Sequence, residues 1–157
     1  MRFDTARASA PLLAVVWLLR ILTAAGLAVD AYIHADLASN YDPVRHSISQ
    51  GDLFRIEAGV ASAAALLILL TARRVTWAAA FLVAASALGA ILLYRYVNVG
   101  TLGPLPNMYE PIWFTKKVIA VVTEGAATAT ALLGFAVVAA RASALARRTS
   151  RPASPPG

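Results

Sequence analysis

The first apolar run of the chain, Pro11 to Ala35, is long enough to cross a bilayer, yet it carries Arg20, Thr23, Asp30 and His34 along one helical face. A charged side chain in hydrocarbon costs about 2.5–3.5 kcal/mol, so this stripe must turn away from lipid and toward other helices. Three more runs of membrane length follow, at about 53–72, 75–97 and 112–140. At a rise of about 1.5 Å per residue, all four runs cover a hydrocarbon core about 30 Å thick. The runs are continuous and rich in Ala and Leu rather than alternating, which predicts helices and not strands. The expected fold class is all-α, a polytopic membrane protein with a four-transmembrane-helix bundle. Its domain should cover residues 1–146, with 147–157 a disordered, basic, Pro/Ser-rich cytoplasmic tail.

Composition narrows the class further. Hydrophobic residues make up 59% of the 157 and charged residues only 14%, against roughly 25% charged in soluble domains. A net charge of +6 would suggest nucleic acid in a soluble protein. Here the basic residues gather at the ends of apolar runs, so the expected partner is the lipid bilayer and no nucleic acid. The chain has no cysteine, which excludes disulfides, thiol relays, iron–sulfur ligation and cysteine-based zinc sites.

Eight basic residues sort to one side: Arg2, Arg7, Arg73, Arg74, Arg141, Arg147, Arg148 and Arg151. The opposite side mixes Arg45, Arg55, Arg95, Lys116 and Lys117 with Asp36, Asp42, Asp52, Glu57 and Glu110. By the positive-inside rule, this predicts a multi-pass protein of the cell membrane with both termini cytoplasmic. A signal peptide over Pro11–Leu19 is the weaker reading, because Arg20 interrupts the run and no small-residue cleavage site follows.

Small residues recur at spacing four, in Gly59/Ala63, Ala85/Gly89, Ser86/Ala90 and Ala127/Ala131, a pattern that lets helix backbones approach closely in lipid. Within such a bundle the ionisable residues become the candidate site. Asp30 and His34 lie one turn apart, Glu57 opens span two and Glu124 sits near mid-membrane in span four. Arg55, Arg95 and Lys117 complete the candidate polar pocket at the outer end. Three readings stay open. The acids pair with the three cations to hold helix register, or they form a proton-linked or ligand-binding site, or Asp30, His34, Glu57 and Glu124 bind a metal. No Glu-x-x-His pair is present and His34 is the sole intramembrane imidazole, so neither a di-iron site nor haem is indicated, and no motif specifies a cofactor. Arg20 is expected to snorkel toward the cytoplasmic headgroups.

The connection from Asn98 to Trp113 holds three prolines and two glycines, too structured a composition for a mere tether. Pro104, Pro106, Tyr109, Glu110 and Trp113 mark it as a candidate lid or partner loop. Leu102, Leu105, Met108 and Ile112 are expected to cover the bundle's outer end. In the first connection, Ser49 and Asp52 read as the start of a helix.

Span one, with Arg20-Ile21-Leu22-Thr23-Ala24-Ala25-Gly26-Leu27, and the Glu57-containing start of span two with Gly59 resemble the DoxX-like group of small four-helix membrane proteins. The resemblance implies a four-helix fold and a quinone-linked role. The basic residue common in that group shortly after the span-one glycine is replaced here by the neighbourhood of Asp30 and His34. The loop Gly-Pro-Leu-Pro-Asn-Met-Tyr-Glu-Pro also resembles that of membrane proteins from high-GC bacteria. The absence of a nucleophile or nucleotide motif points to a non-enzymatic accessory or assembly subunit, with another membrane protein as its partner. The alternative is a carrier or redox-associated protein that binds a proton, ion or lipophilic ligand in an outward-facing polar pocket.

Overall fold

The computed structural model describes residues 10–149. Four helices carry the chain: α1 (Ala10–Leu37), α2 (Gln50–Leu70), α3 (Arg74–Tyr96) and α4 (Thr115–Thr149), with a 3-10 turn at Ala38–Tyr41. All four are long and apolar enough to cross a membrane, and the described residues form no sheet. The protein is an all-α membrane protein, a four-helix bundle.

Helix α1 packs along α2 and α4, and α4 along α3, while α2 and α3 meet less extensively. The connections at the two ends of the bundle do different work. The short Thr71–Arg73 link holds one end of the bundle together. At the other end, called the loop end below, the long connections 42–49 and 97–114 cover the helices.

The start of α2 forms as its sequence requires. Ser49 accepts a hydrogen bond from the Asp52 amide at 2.9 Å, and the Asp52 carboxylate accepts from the Ser49 amide, so two otherwise orphaned donors are satisfied. Beside this cap, the Arg55 guanidinium is hydrogen-bonded to Asp42 at 2.8 Å through both terminal nitrogens, which holds the Asp42 carboxyl below its ordinary range.

Close helix contact occurs where small residues face a neighbour. At Gly26 of α1 a Cβ would stand 2.8 Å from the Thr123 carbonyl oxygen and 2.9 Å from Ala127 Cβ, so α1 and α4 touch nearly backbone to backbone. At Gly134 a Cβ would enter the ring of Trp77, which is wholly buried between α3 and α4. Ala127 and Ala131 belong to this core, as their spacing suggested. Gly59 and Gly89 do not: nothing lies within 4 Å of where their Cβ atoms would sit, and Ala63, Ser86 and Ala90 are exposed. A spacing of four picks out a face but says nothing of whether a helix or lipid lies opposite.

Helix α4 runs to Thr149, past the expected start of the tail at 147. Residues 150–157, where the rest of that tail falls, lie outside the described residues, as do Arg2 and Arg7.

Arg20 departs from the snorkelling expectation. It is buried, its Nε donates to the Ile68 carbonyl at 2.8 Å, a terminal nitrogen donates to the Leu69 carbonyl, and the guanidinium lies 4.1 Å from the Trp17 ring centroid. These carbonyls belong to the last turn of α2, which has no intrahelical donors for them. A cation at that end also suits the helix dipole.

Candidate functional site

Every residue of the predicted α1 stripe is buried: Arg20, Thr23, Leu27, Asp30 and His34. Thr23 meets Thr130 of α4 at 2.8 Å between hydroxyl oxygens, and from two helical turns further along α1 Asp30 and His34 approach Glu124. One ligand atom from each of Asp30, His34 and Glu124 lies within 4.8 Å of the others. Glu57 of α2 stands within electrostatic reach of Asp30 and His34. Asp30 and Glu57 lie seven residues from the loop ends of their helices and Glu124 nine from its own, so all sit about 10–14 Å below those ends.

The acids lack the cationic partners expected for them. Nδ1 of His34 lies 2.7 Å from Asp30 Oδ1 and 3.1 Å from the Asp30 main-chain carbonyl. The carbonyl is the better-directed acceptor, and neither carboxylate oxygen of Asp30 has a directed hydrogen bond among the described residues. The same holds for both carboxylate oxygens of Glu124, for Glu57 Oε1 and for the Thr128 hydroxyl one turn beyond Glu124. Leaving a buried polar group unpaired costs about 1–3 kcal/mol, and more for a charge.

The three cations are committed elsewhere. Arg55 points outward to Asp42 and Asp52, at 2.8 and 3.2 Å. Arg95 lies beside the rings of Trp113 and Tyr96, 5.2 and 5.1 Å from their centroids, and its buried Nε has no hydrogen-bond partner among the described residues. Lys117 binds Glu110, 3.0 Å from the carboxylate and 2.8 Å from the main-chain carbonyl. The expected pairing of Asp30, Glu57 and Glu124 with Arg55, Arg95 and Lys117 is therefore corrected. Arg55 and Lys117 serve the loop end because Asp42, Asp52 and Glu110, closer in sequence or space, offer them partners with less desolvation.

Above the acidic layer lies a cavity of about 360 Å³ between the loop-end halves of α2 and α3 and against α1 and α4. Its walls are mostly apolar, from Ile33, Leu37, Leu53, Phe54, Ile91 and Phe114, while His34 and Glu57 line it from below. His34 meets Phe54 edge-on with ring centroids 5.0 Å apart, and Phe54 in turn meets Tyr41 at 4.9 Å. Ile56, Ser86 and Ala90 line the same cavity and are exposed, so it opens sideways between α2 and α3, toward the surface that faces lipid.

The connection 97–114 roofs this cavity. Met108 and Glu110 line it, Pro106 is fully buried, and a tight turn joins Leu102 and Leu105 with Gly103 at φ +59°. Glu110 is the fastening point: its carboxylate accepts from the Tyr41 hydroxyl at 2.8 Å, its amide donates to the Tyr94 carbonyl at 3.0 Å, and Lys117 holds its other side. The Ile48 amide donates to the Pro104 carbonyl at 3.2 Å, tying the two long connections together. Leu105 and Met108 turn partly inward as expected, whereas Leu102 and Ile112 are exposed. Tyr109 and Trp113 stay partly exposed at the edge.

Two features of the pocket escaped the sequence reading. Phe54 carries no chemical signal, and Tyr41 lies 69 positions from the Glu110 it binds. Compared with known proteins, the chain matches no family model, no curated protein and no solved structure.

Proposed function

We infer that this membrane protein binds a cation-bearing small molecule or a cation in the pocket beneath the 97–114 loop, with the positive charge held against Asp30, Glu57 and Glu124. One observation carries the reading. Glu57 and His34 line an apolar-walled cavity, Asp30 and Glu124 are buried behind them, and among the described residues no Lys or Arg pairs with these three acids, since Lys117, which also lines the cavity, is bound to Glu110. Charge balance then requires protons or a cation. The volume falls in the range of small-molecule sites, and the apolar walls suit the hydrocarbon part of an amphiphile arriving sideways from the lipid. An accessory or assembly subunit needs no such interior, so the cavity favours the binding reading. The DoxX-like resemblance fits the four-helix scaffold, but an acidic layer gives its quinone-linked role no support.

Octylamine and octanol separate charge from grease. In detergent-purified protein, octylamine should raise the unfolding temperature saturably while octanol of the same chain length does not. Ala90→Trp, which fills the cavity from its exposed edge, should abolish the shift. Equal effects of amine and alcohol, or an amine effect that survives Ala90→Trp, would remove the reading.

On this reading the pocket faces the outside of the cell, as the positive-inside rule applied to the basic residues at the opposite end predicts. In a chain without cysteine, single cysteines at the exposed positions Ser39 and Asn107 should react with an impermeant thiol reagent in intact cells. A cysteine at Ala142, at the far end of α4, should stay protected until the cells are opened. The reverse pattern would invert the topology.

A further inference from the structure

We propose that Asp30, His34 and Glu124 bind one divalent transition-metal ion, of the class of Zn²⁺ or Mn²⁺, buried beside the pocket that His34 lines. The proposal deepens the cation-binding reading by naming the cation, and it rests on that reading.

Two independent observations carry it. The first is convergence: α1 and α4 bring one imidazole and two carboxylates together with a ligand atom of each within 4.8 Å of the others. A point equidistant from three atoms at that separation lies about 2.8 Å from each, and metal bonds of about 2.0–2.2 Å then require each donor to close by about 0.6–0.8 Å. Side-chain rotation covers that distance without moving a helix. The second observation is want of partners. Glu124 is 1% exposed and neither of its carboxylate oxygens has a hydrogen bond among the described residues, while fully buried Asp30 has only the His34 Nδ1 at 2.7 Å from its Oδ1, a contact within the proposed ligand set and not a directed hydrogen bond.

The donor set selects the metal class. One imidazole with carboxylates suits borderline ions such as Zn²⁺ and Mn²⁺, whereas Mg²⁺ and Ca²⁺ favour oxygen alone and Cu⁺ favours sulfur, of which no thiolate exists here. Two carboxylates neutralise a dication, and that neutrality is what lets the ion sit about 10–14 Å inside an apolar bundle. Of the three ligands His34 lines the cavity, with Glu57 lining it nearby, so the site adjoins the pocket through His34. The Tyr41–Glu110–Lys117 contacts close the loop end above them.

The test uses the full chain without a polyhistidine tag, stripped with EDTA and dialysed against micromolar Zn²⁺ or Mn²⁺. Metal analysis should find one equivalent per chain, and bound Mn²⁺ should lose its free-ion paramagnetic resonance signal until Zn²⁺ displaces it. Asp30→Asn and Glu124→Gln should each weaken binding at least tenfold, while Asp36→Asn, at an exposed acid paired with Lys116, should not. Should Asp30→Asn or Glu124→Gln fail to fold, wild-type protein loaded with Co²⁺ decides: a visible spectrum of low-symmetry nitrogen and oxygen ligation, lost on His34→Gln, supports the site. No bound equivalent in the wild type overturns the proposal, as does binding that survives both Asp30→Asn and Glu124→Gln. If octylamine stabilises the protein and neither metal binds, the cation reading stands and the metal site falls. If neither ligand binds, both fall.

Discussion

Gly134→Ala should destabilise the bundle by about 1–3 kcal/mol, although it adds one methyl group and replaces the poorer helix former. The propensity gain of about 1 kcal/mol is real but smaller than the steric cost. A Cβ at 134 would lie 2.2–2.4 Å from three atoms of the Trp77 six-membered ring, far inside contact distance. The ring has nowhere to go, because Trp77 is wholly buried among core residues of α3, α4 and their neighbours. Either α3 separates from α4 or the indole leaves its rotamer, and both lose packing that lipid does not replace. Trp77→Phe withdraws the atoms that clash and also removes an indole N–H that has no acceptor among the described residues. The double variant should therefore be more stable than the sum of the single costs predicts, by about 1 kcal/mol or more. Denaturant unfolding of the four proteins in one detergent measures the cycle. Strict additivity, or a stabilising Gly134→Ala, would show that the α3–α4 seam is looser than this contact implies.

What the sequence discloses here follows from which forces are local. Helix existence, the buried stripe Arg20–Thr23–Leu27–Asp30–His34 and the Ser49–Asp52 cap depend on spacing along one helix, and all are present. The gathering of Asp30, His34 and Glu124 was also foreseeable, since intramembrane charges must face inward and there is only one interior. Their partners were not. Arg55 had Asp52 three residues before it on the same helix, a nearer and wetter choice than Glu57's surroundings, and that spacing was the available signal. Small residues misled for a related reason. Gly26 and Gly134 make the close approaches, while Gly59 and Gly89 look the same in sequence and meet nothing, because a glycine's value is set by the helix opposite. The Tyr41–Glu110 contact depends on how two long connections fold over the bundle, which no local pattern encodes.

Arg20 gives the second large effect, and it separates two pictures of a charge in a membrane helix. If its guanidinium sat among lipid headgroups, Arg20→Met would remove little beyond a solvated charge. Buried against the end of α2, the same substitution strips two donors from the Ile68 and Leu69 carbonyls and leaves them facing an apolar interior. Unpaired buried acceptors cost about 1–3 kcal/mol each, so the loss should reach about 2–3 kcal/mol even after water reaches one of them. Lysine restores the charge and its attraction to the helix C-terminus but offers a single ammonium where a planar fork spans two adjacent carbonyls. Arg20→Lys should therefore recover part of the loss, about half, and no more. Hydrogen exchange localises the effect: in Arg20→Met, protection should fall first at Ile68–Arg73, at the α2 end and its link to α3, with the loop-end contacts around Glu110 unchanged. Wild-type stability in Arg20→Met would mean that the guanidinium spends its time in the headgroups, and that the last turn of α2 finds its donors in water.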